Sequence, residues 1–251
     1  MLRTNWFFLV IAILFSMHAN SQFSKGTRMA GASVGSIFIN SGSSDQTVTS
    51  IGRLSGKTTG YNINLTPSLG WFISDNTAVG FSLSINPSGD KLRFKENGST
   101  FQMDKSSNFN IGVGGFARNY FKSSGSLLPY AQFSLDAGIV NTKTDGFFYG
   151  GSGTNTYKET YDGKSSGGFF TNALFNLGIT KMVGEYTGLD LYLGYNFYYT
   201  RHTVNKTTLR DIGIDGSIDE TRLNETMTKY TNHQFIIGLG FQVFLEKQKK
   251  K

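Results

Sequence analysis

The sequence predicts an all-β fold, an eight-stranded antiparallel up-and-down transmembrane β-barrel. Three observations predict it: apolar and polar residues alternate with a period of two, eight segments do so, and the connections between them alternate between long and short. The composition agrees, with 31 glycines and 14% aromatic residues among 251. The absence of cysteine excludes a disulfide scaffold and a thiolate metal site.

The alternation is clearest in two neighbouring segments, 61–73 and 77–86. Odd-numbered positions carry large apolar side chains such as Leu69 and Phe81, and most even-numbered positions carry Asn, Ser, Thr or Gly. The three residues between the segments indicate a hairpin turn. The same pattern predicts the other six strands, at 27–39, 108–121, 129–140, 169–183, 189–200 and 232–245.

The segments are 10 to 15 residues long, and a tilted strand needs about 9 to 11 residues to cross a bilayer. Short turns on one rim and long loops on the other are typical of bacterial outer-membrane barrels. The predicted turns are 74–76, 122–128 and 184–188, and the predicted long polar loops are 40–57, 87–107, 141–168 and 201–231.

Charge distribution decides which face meets lipid, because a soluble barrel would carry Lys and Glu on its wet face. Segments 61–73 and 77–86 contain no charged residue on either face. We therefore predict that the large apolar side chains face lipid and that small polar side chains fill the lumen.

The two ends of the chain are predicted to lie outside the barrel. Residues 1–21 have the features of a secretory signal peptide: Arg3, an apolar stretch at 6–15 and a small-residue cleavage site at 19–21. The barrel domain is predicted at 22–245, followed by a basic periplasmic tail at 246–251. Of the formal charge of +7, Arg3 carries one unit and the tail a net three, and the remainder is too small and dispersed for nucleic-acid binding.

Aromatic residues near the segment ends predict two interfacial belts. The residues assigned to them are Trp71, Phe72, Tyr120, Phe121 and Tyr130 near the short turns, and Tyr199 and Phe235 near the long loops.

The stretches LGWFISDNTAVGFSLS at 69–84 and FARNYF at 116–121 resemble the OmpA/OmpX-like family of small outer-membrane β-barrels. The resemblance covers about 27–245 and implies an eight-stranded barrel in the cell outer membrane, with no periplasmic domain and no common activity. We also expect the apolar face to contact outer-membrane lipid, the exposed loops to contact lipopolysaccharide, and the barrel assembly machinery to insert the chain. Such barrels often end on Phe, whereas this chain continues beyond Leu245.

A polar network is predicted inside the lumen. Arg118, Asp136 and Asp190 lie on the polar parity, and Arg118 and Asp190 are predicted to pair because an unpaired buried charge is costly. The other predicted members of this plug are Gln132, Asn172, Asn176, Asn196 and Gln242. The alternative is an ion path through the same residues.

Two further features of the sequence are candidate functional sites. His202 and His233 stand near the outer ends of adjacent strands, as in a lipid A-modifying barrel enzyme, but neither lies in a Gly-x-Ser-x-Gly or similar nucleophile motif. The glycine-rich run 112–117 lies inside a strand and opens no helix, so it does not predict nucleotide binding. We expect no catalytic residue, no metal and no cofactor.

The sequence therefore predicts a structural or interaction protein that presents long extracellular loops to a ligand outside the cell. A small porin-like channel and a lipid A-modifying enzyme are the alternatives.

Overall fold

The computed structural model describes residues 23–48, 52–96, 98–121, 125–151 and 156–245. Eight antiparallel strands in this part of the chain pair in sequence order and close into a barrel, which confirms the predicted fold class. They are β1 (Arg28–Val48), β2 (Gly52–Phe72), β3 (Thr77–Glu96), β4 (Ser99–Tyr120), β5 (Leu127–Gly150), β6 (Tyr157–Met182), β7 (Thr187–Ile212) and β8 (Glu220–Leu245). The predicted signal peptide and basic tail lie outside the described residues.

The barrel exterior is apolar over the membrane-spanning halves of the strands. Leu69, Phe81, Val113 and Ile237 are each more than 60% exposed, and their sequence neighbours point into the lumen. So large an exposed apolar surface is stable only against lipid. A closed ring with this exterior confirms the predicted orientation of the faces and the outer-membrane location.

The four long loops predicted from the sequence are mostly strand, so that prediction was wrong. The stretch 201–231, for example, is a ladder that pairs Arg201 with Lys229 and continues to Arg210 and Glu220. Pairing satisfies the backbone N–H and C=O groups even where both faces are polar. Hydrophobic alternation therefore does not reveal it.

The ladders carry the barrel well beyond the membrane. β6, β7 and β8 have 26 residues each. At about 3.3 Å per residue and a tilt of about 45°, such a strand spans about 60 Å, roughly twice the hydrocarbon core.

No helix among the described residues is long and apolar enough to cross a bilayer.

The seam between β1 and β8 closes the ring over a short distance. It runs from Arg28 paired with Leu245 to Val34 paired with Leu239. The register of β1 against β2 shifts at this level, between Val34 and Ser36. Pro67 of β2 lacks the backbone N–H that a ladder uses, yet the β2–β3 register is the same on both sides of that residue.

The inner end of the lumen is filled by an aromatic cluster rather than by small polar side chains. Its buried members are Met29, Phe72, Ala78, Phe116, Tyr120, Leu128, Tyr130, Tyr192 and Phe244. The ring of Phe23 covers them from below, stacked on Phe244 at 4.3 Å between ring centroids. Large rings therefore block the barrel at the end where its termini lie.

Three of the predicted belt residues belong to this cluster and were wrongly assigned to the membrane interface. Phe72, Tyr120 and Tyr130 are at most 4% exposed. Tyr120 shares its parity with Arg118, and Tyr130 shares that of Gln132, so each ring must enter the lumen with its polar neighbour. The other four predicted belt residues are more exposed. Trp71 and Phe235 are exposed on the exterior, whereas Phe121 and Tyr199 are half-buried.

Candidate functional site

An ion pair crosses the lumen directly above the aromatic cluster. Arg118 of β4 donates from Nη1 to Oδ2 of Asp190 of β7 over 2.8 Å. The two side chains are 4% and 1% exposed. Both residues have lumen parity, and the strand register places them at a similar depth.

Both charges have further polar partners. Arg118 Nε donates to Gln132 Oε1 over 2.7 Å, and its guanidinium lies 4.0 Å from the centroid of the Tyr130 ring. Asp190 accepts from Thr180 Oγ1 at 2.5 Å and from Gln242 Nε2 at 3.2 Å. Partners from β4 to β8 thus offset the desolvation of the pair.

Asp136 lies in a separate layer, four residues above Gln132 on β5. Its Oδ1 accepts from Ser82 Oγ at 2.8 Å, and its Oδ2 accepts from Asn172 Nδ2 at 3.4 Å. The predicted network is therefore two groups. Asn176 is buried, and its Oδ1 has no hydrogen-bond partner among the described residues.

Sequence reasoning missed several residues of these layers, among them Ser82, Thr180 and the two tyrosines beside Arg118. Each has lumen parity, which the alternation reveals. Their depth depends on strand register, and a single sequence does not give register.

Above Asp136 the lumen opens into a cavity of about 420 Å³, which we call the vestibule. Amide side chains dominate its wall: Asn62, Asn64, Asn86, Asn108, Asn110, Asn172, Asn196, Asn232 and Gln234. The rest of the described lining consists of Ser, Thr and Tyr residues with Val140, Phe170 and His202, and includes no carboxylate, Lys or Arg side chain. The vestibule thus presents many neutral donors and acceptors.

Several of these polar atoms are buried without a hydrogen-bond partner in the described part of the chain. They are Oδ1 of Asn110, Asn172 and Asn196, and Nδ1 of His202. Asn172 is only 9% exposed and Asn196 only 6%. A buried acceptor without a partner costs about 1–3 kcal/mol, so a molecule in the vestibule that bonds these side chains would offset that cost.

The two histidines are separated by the barrel wall. His202 lines the vestibule, whereas His233 is exposed on the exterior, where its Nδ1 bonds the Tyr195 hydroxyl at 2.7 Å. They cannot act on one substrate group. Within the described ranges, no three His, Cys, Asp or Glu side chains are grouped so as to hold a metal ion.

The part of the barrel beyond the membrane carries ion pairs and aromatic contacts. We call it the extension; it consists of the described strand residues within 40–57, 87–107, 141–168 and 201–231. Arg210 bonds Glu159 at 2.7 Å, and the Tyr161 hydroxyl donates to Asp104. Burial and this bond raise the pKa of Tyr161 above its usual range. The ammonium of Lys206 lies 3.6 Å from the centroid of the same ring. These contacts join β6 to its neighbour β7 and, across the lumen, to β4.

No protein-family model and no curated protein sequence matches this chain. Two solved structures similar to it are the outer membrane proteins OprG and AlkL. OprG from Pseudomonas aeruginosa is 12% identical, with 90% of this chain and 99% of that chain covered and a TM-score of 0.34. AlkL, solved by solid-state NMR in DMPC lipid bilayers, is 16% identical, with 93% and 97% covered and a TM-score of 0.37.

Neisserial surface protein A is a third similar structure, 16% identical, with 87% of this chain and 96% of that chain covered and a TM-score of 0.30. At such identities and scores the likeness supports no particular role. The barrel and its lipid-facing exterior follow from the strand pairing and burial of this chain itself.

Proposed function

We propose that this protein is a non-conducting outer-membrane barrel that presents its extension as an interaction surface outside the cell. The observation that carries the proposal is the double closure of the lumen, in which the Arg118–Asp190 pair lies directly on the aromatic cluster. An eight-stranded barrel has an interior that side chains can fill. A lumen filled in this way favours a structural and interaction role over a channel.

The extension supplies the surface. β5 to β8 contribute most of this surface. Beyond the membrane, both faces of these paired strands carry polar side chains. A paired ladder holds a binding surface more rigidly than the loops predicted from sequence would. The partners that fit are an extracellular ligand and lipopolysaccharide at the level of the lipid headgroups, with the barrel assembly machinery as the agent of insertion.

Planar-bilayer recording tests the closure. The purified full chain should give no steady conductance. Channel openings in Arg118→Ala would show that the guanidinium is needed to keep the lumen closed. A matched variant in the extension, Lys105→Ala, removes an exposed partner of Asp145 and should leave the trace silent. A steady open pore in the wild-type protein would refute the proposal.

We also propose that the barrel has no catalytic role. The separation of His202 and His233 by the wall supports this, because among the described residues neither histidine shares a cavity with both a nucleophile and a carboxylate. Mass spectra of lipid A from cells with and without the protein should be the same. A change in acylation would favour the enzyme alternative.

A further inference from the structure

We propose that the vestibule binds a neutral carbohydrate of one or two sugar rings. This inference rests on the proposed function in one respect, namely that the plug makes the vestibule a blind cavity rather than part of a channel. The evidence is its lining, its unpartnered buried acceptors, the ring of Tyr198 and its size.

The chemistry of the lining matches hydroxyl groups. Each carboxamide offers an acceptor oxygen and two N–H donors, and neighbouring sugar hydroxyls both donate and accept. Asn62, Asn64 and Asn86 on one side of the ring face Asn172 and Asn196 from the other. With no charged side chain among the described lining residues, the vestibule has no counter-charge for an anion or a cation.

The vestibule amides differ from the other unpartnered groups in bordering a cavity. Unpartnered oxygens also occur in the lower layers, at Tyr130, Asn176 and Gln242, but none of these residues lines the vestibule. In the vestibule, Asn172 and Asn196 are more than nine-tenths buried, yet their Oδ1 atoms have no partner among the described residues. Ligand hydroxyl groups would satisfy them.

The Tyr198 ring provides the apolar part of the site, and the Phe170 ring behind it is fully buried. The rings of Phe170 and Tyr198 are stacked, with centroids 5.8 Å apart and planes inclined by 25°. Asn110 Nδ2 donates to the Tyr198 hydroxyl over 3.2 Å and fixes that ring beside the amides. An aromatic face next to convergent polar groups suits the C–H face and the hydroxyl rim of a sugar.

The size limits the ligand. A volume of about 420 Å³ is near the lower end of the range of roughly 300–1,000 Å³ for small-molecule sites. It accommodates a mono- or disaccharide. The fully buried Phe170 and the Asp136 layer, which lies below the vestibule and does not line it, prevent passage downward.

The test uses the full chain refolded in lipid nanodiscs, with isothermal titration calorimetry and maltose, cellobiose and N,N′-diacetylchitobiose as neutral probes. Digalacturonic acid is the charged control probe. At least one neutral disaccharide should bind saturably and more tightly than the diuronate. Failure of all neutral probes to bind would mean that the vestibule holds only water, and would overturn the proposal.

Two asparagines of β7 provide matched variants. Asn196→Leu removes a vestibule amide and should weaken binding about tenfold, whereas Asn205→Leu, at an exposed position of the same strand, should leave it unchanged. The heat-dependent shift in gel mobility confirms that both variants fold. Equal affinities for wild type and Asn196→Leu would overturn the proposal.

The outcome is separable from that of the conductance experiment. A steady pore together with disaccharide binding that Asn196→Leu weakens would refute the plug and retain the site. A silent barrel that binds no neutral disaccharide would retain the plug and refute the site.

Discussion

Arg118 and Asp190 lie 72 positions apart in the sequence and meet at 2.8 Å inside the lumen, three strands from each other around the ring. The pair lies between the aromatic cluster below it and the separate Asp136 layer above it. Both side chains are almost fully buried. The loss of stability expected on breaking the pair is therefore large.

Replacing Arg118 by Leu leaves Asp190 as an unpaired buried charge. We expect a loss of about 3–5 kcal/mol in the free energy of unfolding, since an isolated buried charge is far more costly than a pair. Urea titration of the refolded protein in detergent micelles measures it. Arg118→Leu combined with Asp190→Leu should recover part of the loss. A single variant as stable as the wild type would show that the pair does not stabilise the barrel.

The exposed pair of Lys105 and Asp145 is the matched comparison. Its atoms lie 3.2 Å apart and its side chains are 43% and 40% exposed. Solvent screens such a pair, so Lys105→Ala should change stability by no more than about 1 kcal/mol. An effect as large as that of Arg118→Leu would contradict the role assigned to burial.

Positions 72 and 235 should report opposite environments. A tryptophan at Phe235, which is 87% exposed on the exterior, should be strongly quenched by brominated lipid. One at Phe72, which is 1% exposed, should not be. Because Trp71 and the other native tryptophan contribute background, each spectrum is compared with that of the parent protein. Strong quenching at 72 would place this ring in the belt first predicted for it.

The neighbouring glycines Gly114 and Gly115 should differ in their tolerance of a methyl group. A Cβ at Gly114 would lie 1.9 Å from Asp136 Oδ1 and 2.5 Å from the Leu135 carbonyl oxygen, whereas one at Gly115 would meet nothing nearer than 3.6 Å. Gly114→Ala should destabilise the barrel by about 1–3 kcal/mol through overpacking. Gly115→Ala should be tolerated in the same urea titration, and equal losses would contradict the predicted crowding.

Acid should weaken the Glu220 contact in the extension. A hydrogen bond from Arg222 lowers the pKa of the Glu220 carboxyl. A pKa lower in the folded than in the unfolded state adds stability above the unfolded pKa, and this contribution is lost as the pH falls through the folded value. An NMR titration of the carboxyl carbon should give a pKa below the ordinary value of a glutamate side chain.

Arg222→Gln is the control for that titration. Without the guanidinium, the pKa of Glu220 should return toward its ordinary value. If the pKa of Glu220 is the same in both proteins, the bond drawn between the two side chains does not persist in solution.

Sequence alternation alone determined the number of strands and which face of each strand meets lipid, because side chains alternate across a strand with a period of two. It therefore identified Arg118, Asp190, Gln132 and Gln242 as lumen residues before their contacts were known. The same parity places Phe72 inside, and the belt assignment was wrong because it weighed residue type above parity.

Register and strand length were decided only by the tertiary structure. Which lumen residues share a layer depends on the stagger of all eight strands, so Thr180 and Ser82 could not be assigned to a carboxylate from sequence. The paired ladders beyond the membrane are rich in polar and charged residues, and their apolar residues do not form a sustained alternation. The vestibule exists only when the ring closes, because its amides come from strands that are distant in the chain and meet around one enclosed space.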